Sequence, residues 1–142
     1  MLTRVLAATV VGGIAFFFLG FVIYGLILDP MVMKPNMNTF PGLMNDVPIW
    51  APLVLANLVS ALLLTYIFDR WASISTFMGG MQGGAIVYGL MGLSYQLMFM
   101  AFWNLSKNYT PAVADVFGSV LMGAIGGGII GAVLGMMRKR EA

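Results

Sequence analysis

The chain has 142 residues, of which 61% are hydrophobic and only 8% charged, and its net charge is +2. A soluble domain carries about 25% charged residues, and no soluble fold of this length can hide so much apolar surface. Cysteine and histidine are both absent, which excludes disulfides, thiolate nucleophiles, imidazole bases and the usual zinc, haem and iron–sulfur ligands. The basic residues are scattered or gathered near the C-terminus, so the pI near 9.2 describes no nucleic-acid patch, and nucleic acid is not expected as a partner.

Four uncharged runs, 5–28, 47–68, 71–106 and 116–137, each exceed the ~20 residues that cross a hydrocarbon core of about 30 Å. The expected fold class is therefore all-α: a polytopic membrane protein, a four-transmembrane-helix bundle forming one domain over residues 1–142. The first run follows Arg4 as a signal peptide would, but it is longer than the roughly 7–15 apolar residues of such a peptide and ends in no small-x-small site. It reads as a retained helix over about 5–28, and the second helix follows over about 48–68. The third run is too long for one crossing, so residues 71–76 read as an interfacial connection and the helix as about 77–103. The third connection ends in Thr110-Pro111, and Asp115 can either cap a fourth helix over about 115–137 or carry its negative charge into the first turn. Outer loops are left at about 29–47, broken by Pro30, Pro35 and Pro41, and at about 104–114.

Orientation follows from the cations. With a cytoplasmic N-terminus, that side holds Arg4, Arg70, Arg138, Lys139 and Arg140, and the other only Lys34 and Lys107, so both termini are expected inside. Trp50 and Trp103 then fall at the outer boundary and Trp71 at the inner one, where indoles settle.

The fourth run carries small residues at every fourth position: Ser119, Gly123, Gly127, Gly131 and Gly135. In a helix these share one face and leave a groove into which another backbone can press. Each glycine would weaken a soluble helix by roughly 1 kcal/mol relative to alanine, but in lipid the backbone has no other way to satisfy its hydrogen bonds. Gly80 and Gly84 of the third run form a second such face. So many small faces suggest that some meet another subunit, and a homo-oligomer or other membrane subunits are the expected partners besides the lipid bilayer.

The acidic residues Asp29, Asp46, Asp69, Asp115 and Glu141 all fall at expected helix ends or in loops. A charge in mid-span would mark a proton or ion path, and none is placed there. Asn57 and Thr65 of the second helix and Tyr95 and Gln96 of the third could line a polar seam, either a hydrated path or simple interhelical hydrogen bonding. Met31, Met33, Met37 and Met44 invite a copper reading, yet methionine is also ordinary apolar filler, and no metal or cofactor is expected. No catalytic residue is nominated, and the chain is not expected to be an enzyme. The glycine-rich stretches lie inside apolar spans and lack the lysine that a phosphate loop requires.

The sequence Gly20-Phe21-Val22-Ile23-Tyr24-Gly25 closing the first helix, residues 57–68 as the second, and the glycine-rich end of the fourth resemble a group of small four-helix bacterial inner-membrane proteins of unknown function. The resemblance implies a bacterial inner membrane and no activity. The expected role is that of a non-catalytic oligomeric or accessory subunit assembled through its glycine-ladder faces. The other reading is a small channel or transporter with a path near Asn57, Thr65, Tyr95 and Gln96.

Overall fold

The computed structural model describes residues 2–142, and it is all-α. Four helices are long and apolar enough to cross a membrane: α1 (Leu2–Asn36), α2 (Trp50–Trp71), α3 (Phe77–Phe102) and α4 (Thr110–Glu141). They alternate in direction, so both ends of the chain and the α2–α3 connection meet at one end of the bundle, here the termini end. The two longer connections meet at the far end.

The helix contacts are unequal. α4 packs most extensively on α3 and next on α1, α2 packs chiefly on α1, and the backbones of α2 and α3 stay apart, with the Phe68 ring lying over Gly83 near the termini end. Glycines set this order. A Cβ added at Gly84 would fall on the carbonyl oxygen of Gly123, one at Gly80 on that of Gly127, and one at Gly131 on that of Thr76. The small faces of α3 and α4 are therefore pressed backbone to backbone within one chain, with Gly135 closing the seam against Ser75. The opposite side of α4 receives α1: the Phe16 ring lies over Gly126, and Tyr24 and Leu28 lie over Gly118. The Ser119–Gly135 face is thus filled by α3, and it offers no bare glycine surface to a second chain.

The core lies where α1, α2 and α4 converge, with Ala8, Phe16, Ala61, Leu64, Phe68, Ile130 and Leu134 buried together. Phe16 also stacks on Tyr88 of α3 with ring centroids 5.0 Å apart, tying α3 to that core.

The helices depart from the expected bounds at the far end. α1 does not stop at Leu28 but continues to Asn36 through a π-helical stretch, Phe21–Met33, that contains Pro30. Proline lacks an N–H and its ring clashes with the carbonyl four residues back, and a wider helical turn accommodates both defects. The loop after α1 shrinks accordingly. α4 begins at Thr110, with Pro111 in its first turn, so Asp115 lies more than a turn inside the helix and does not cap it. Residues flanking the two far-end connections are laced together: the Asn38 amide donates to Leu105 O at 2.7 Å and the Lys107 amide to Asn36 O at 2.9 Å.

At the termini end, the last turn of α2 widens over Ile67–Trp71 and carries Asp69 inward. Its carboxylate, with no exposed surface, accepts from Arg4 Nε at 2.8 Å, Arg4 Nη2 at 3.2 Å and Arg138 Nη2 at 3.2 Å. Arg4 also donates to Glu141 at 2.8 Å. One carboxylate thereby fastens α1, α2 and α4.

Two outcomes test this account. Gly127→Leu should lower unfolding free energy in detergent by more than about 3 kcal/mol, because overpacking here must move backbone, while Ala101→Leu on the exposed side of α3 should change it by less than about 0.5 kcal/mol. Asp69→Asn should lower the melting temperature by several degrees, since it strands two arginines, and Asp69→Asn with Arg4→Leu should recover part of the loss.

Candidate functional site

Because α2 leans on α1 and α3 on α4, the bundle is open between α2 and α3 toward the far end. A pocket of about 500 Å³ occupies that end, between the last turns of α3, the 103–109 connection and the first turns of α4. Tyr95, Gln96, Phe99, Trp103, Tyr109 and Asp115 are among its lining residues. A second cleft of about 210 Å³ shares Tyr95 and Asp115 with it and runs down between Ser60 and Leu63 of α2, Tyr88 and Met91 of α3, and Ser119 of α4.

Asp115 is the charged group common to both. It owes its position to the early start of α4, which places it one turn before Ser119 on the same face. The Gln96 amide donates to Asp115 Oδ2 at 2.8 Å. The Tyr24 hydroxyl donates to the Asp115 carbonyl at 3.3 Å and shares a 3.1 Å hydrogen bond with the Ser119 hydroxyl. Among the described residues no lysine or arginine pairs with this carboxylate, whereas Asp29 is paired with Lys34 at 3.0 Å and Asp69 with two arginines. Lys107 lines the same pocket but directs its Nζ to the Pro35 carbonyl at 3.3 Å. Deeper in the cleft the buried Tyr88 hydroxyl faces the Ser60 side chain.

The residues nominated from the sequence are only partly gathered here. Tyr95 and Gln96 line the pocket together. Asn57 turns its amide back to Leu53 O at 2.8 Å and lines a separate groove between α1 and α2. Thr65 is fully buried in the core with its hydroxyl unpartnered, and it lines neither cavity. The four do not form one seam. Asp115, Tyr24 and Ser119 were missed as a polar group, and the signal that could have found them is Pro111: proline favours the first turn of a helix, which puts the start of α4 at Thr110 and Asp115 within it.

Chemically the arrangement is a carboxylate held by one neutral donor at the junction of two cavities, a setting that attracts a cation. The described residues gather no group of three His, Cys, Asp or Glu side chains that would hold a metal ion. No family model, curated protein or solved structure matches the chain. The resemblance carried by residues 20–25 and 57–68 therefore has no family model behind it, and function is read from the geometry.

The Gln96–Asp115 bond should be measurable as a coupling. A double-mutant cycle with Gln96→Leu and Asp115→Asn, followed by reversible unfolding in mixed micelles, should give an interaction of about 0.6–1.7 kcal/mol, the span seen for hydrogen bonds between membrane helices.

Proposed function

We propose that the four helices insert into a bacterial inner membrane with both termini cytoplasmic, and that the protein acts there as a non-catalytic binding or accessory subunit through its outward pocket. Insertion is supported by the flanks of the bundle, where Ile14, Phe18, Val59, Ile86, Leu90 and Leu121 are all exposed, an apolar belt that water would not tolerate. The uncharged segment 116–137 of α4 is about 33 Å long, which matches the hydrocarbon core and sets Asp115 at one boundary and Arg138 at the other. A carboxylate at the boundary avoids most of the penalty it would meet at mid-membrane.

Orientation rests on the cations. Arg4, Arg70, Arg138, Lys139 and Arg140 collect at the termini end against Lys34 and Lys107 at the far end. The positive-inside rule counts lysine and arginine and not net charge, so the pairing of Arg4 and Arg138 with Asp69 does not weaken it. The bacterial assignment follows the sequence resemblance.

The observation that carries the binding role is the unpaired Asp115 in a pocket whose volume, about 500 Å³, is that of a small-molecule site. Association with other subunits remains part of the proposal, but through the exposed sides of α2 and α3, since the glycine ladder is filled within the chain. The channel reading keeps Tyr95 and Gln96 as a mouth and then meets the packed Phe16, Leu64 and Ile130 core.

Because the chain has no cysteine, topology can be read with single introduced thiols. A membrane-impermeant maleimide should label Asn45→Cys on intact cells and Ala142→Cys only after lysis; the reverse pattern would place the pocket in the cytoplasm and overturn the orientation.

A further inference from the structure

We infer that the pocket and the cleft together bind an amphipathic organic cation, its ammonium head against Asp115 and its alkyl chain in the gap between α2 and α3. The inference rests on the binding role proposed above and names the ligand's chemical class.

The head site has two independent features. Among the described residues the Asp115 carboxylate accepts one hydrogen bond, from Gln96 to Oδ2, and pairs with no lysine or arginine, so it is held in place but not neutralised. Four aromatic residues, Tyr95, Phe99, Trp103 and Tyr109, line the same pocket. Aromatic faces attract ammonium groups, and quaternary ammonium recognition by aromatic cages is the recurrent use of that attraction. Aromatic residues at a membrane boundary alone would describe only an interfacial belt; the carboxylate among them is what points to a cation. A hard metal ion fits poorly, because calcium requires about 6–8 oxygen ligands and one carboxylate dominates here.

The tail site follows from the helix arrangement. The cleft leaves the pocket at Tyr95 and Asp115 and descends past Leu63 and Met91, between two helices whose backbones stay apart, so it opens sideways to the bilayer. With Asp115 at the outer hydrocarbon boundary, a molecule seated this way has its head at headgroup level and its chain alongside the outer leaflet. The same chemistry could come from a lipid amine headgroup or from a free amphiphilic ammonium compound.

The test uses the full chain in nonionic maltoside micelles, with dodecyltrimethylammonium as the probe and equilibrium dialysis as the readout. Saturable binding is expected, weakened at least roughly tenfold by Asp115→Asn and unchanged by Asp46→Asn in the exposed loop. Tetramethylammonium, the head without the chain, should bind at least roughly tenfold more weakly. Equal binding by an Asp115→Asn protein that melts like the parent overturns the proposal, as does an equal loss in Asp46→Asn or equal affinity for tetramethylammonium. Should Asp115→Asn fail to fold, Trp103→Leu with Tyr109→Leu, both at exposed positions, decides the matter: unchanged binding overturns the cage. Displacement of the probe by phosphatidylethanolamine but not phosphatidylglycerol identifies a lipid amine as occupant, and displacement by neither identifies a free amphiphile. Binding in micelles does not depend on orientation, so failure here and failure of the labelling experiment are separate results.

Discussion

The close approach of the α3 and α4 backbones is the constraint on which the rest of the molecule depends. Where the Cβ of any other residue would fall on a facing carbonyl oxygen, at Gly80, Gly84, Gly127 and Gly131, the two helices become one slab. With one side of α4 taken by α3 and another by the Phe16 face of α1, little of α4 remains for α2. α2 is then held mainly by α1, through Gly13 against Leu58 and Gly12 against Ala61, and by its last turn at Asp69. The gap between α2 and α3 is the residue of that allocation. The cleft is thus a product of helix packing, and no loop is needed to shape it.

Two aspartates on neighbouring helices show how location decides the role of one chemical group. Asp69 has no exposed surface and is hydrogen-bonded by two arginines, one from each end of the chain, with Arg70 4.0 Å away. A buried carboxylate so placed must be paired, and pairing makes it a fastener. Asp115 is half-buried at the opposite end, with a single amide donor and open cavity beside it. Its charge is not consumed by the fold. Both had looked like helix-end residues of equal standing, and only the three-dimensional arrangement separates the fastener from the site.

The four apolar helices were legible because twenty uncharged residues in a row permit few alternatives, and the small-residue faces of α3 and α4 were legible because their four-residue spacing survives in sequence. Which partner fills those faces was not, since a backbone groove accepts any helix and nothing local distinguishes α3 from a second chain. The far end was misread for a different reason. Pro30 and Pro35 suggested a loop, yet a widened helix absorbs the first and the second sits in the final turn. Asp115 suggested a cap or a first-turn residue, yet Pro111 had already begun the helix. Both differences moved helix ends by a turn or more, and at the end of a bundle one turn decides whether a side chain faces a loop or a cavity. Asn57 and Thr65 do not join Tyr95 and Gln96, because α2 presents them toward the α1 groove and the buried core.

The buried hydroxyls of Thr9, Thr65 and Tyr88 extend the same logic. Thr9 and Thr65 lie in the α1–α2 region, where the helices are tightly packed, and a helical threonine can turn its hydroxyl toward its own backbone. Tyr88 has no such recourse, because a phenol reaches too far from its own helix to bond there. Its ring is fixed by stacking on Phe16, so its hydroxyl is aimed by the core and ends in the cleft wall opposite Ser60. The packing that closes the bundle around Phe16 thereby brings the Tyr88 hydroxyl to Ser60 in the lower part of the cleft, below Asp115. The polar groups of the cleft are thus a carboxylate at its mouth and hydroxyls along its walls, and all of them are placed by helix packing.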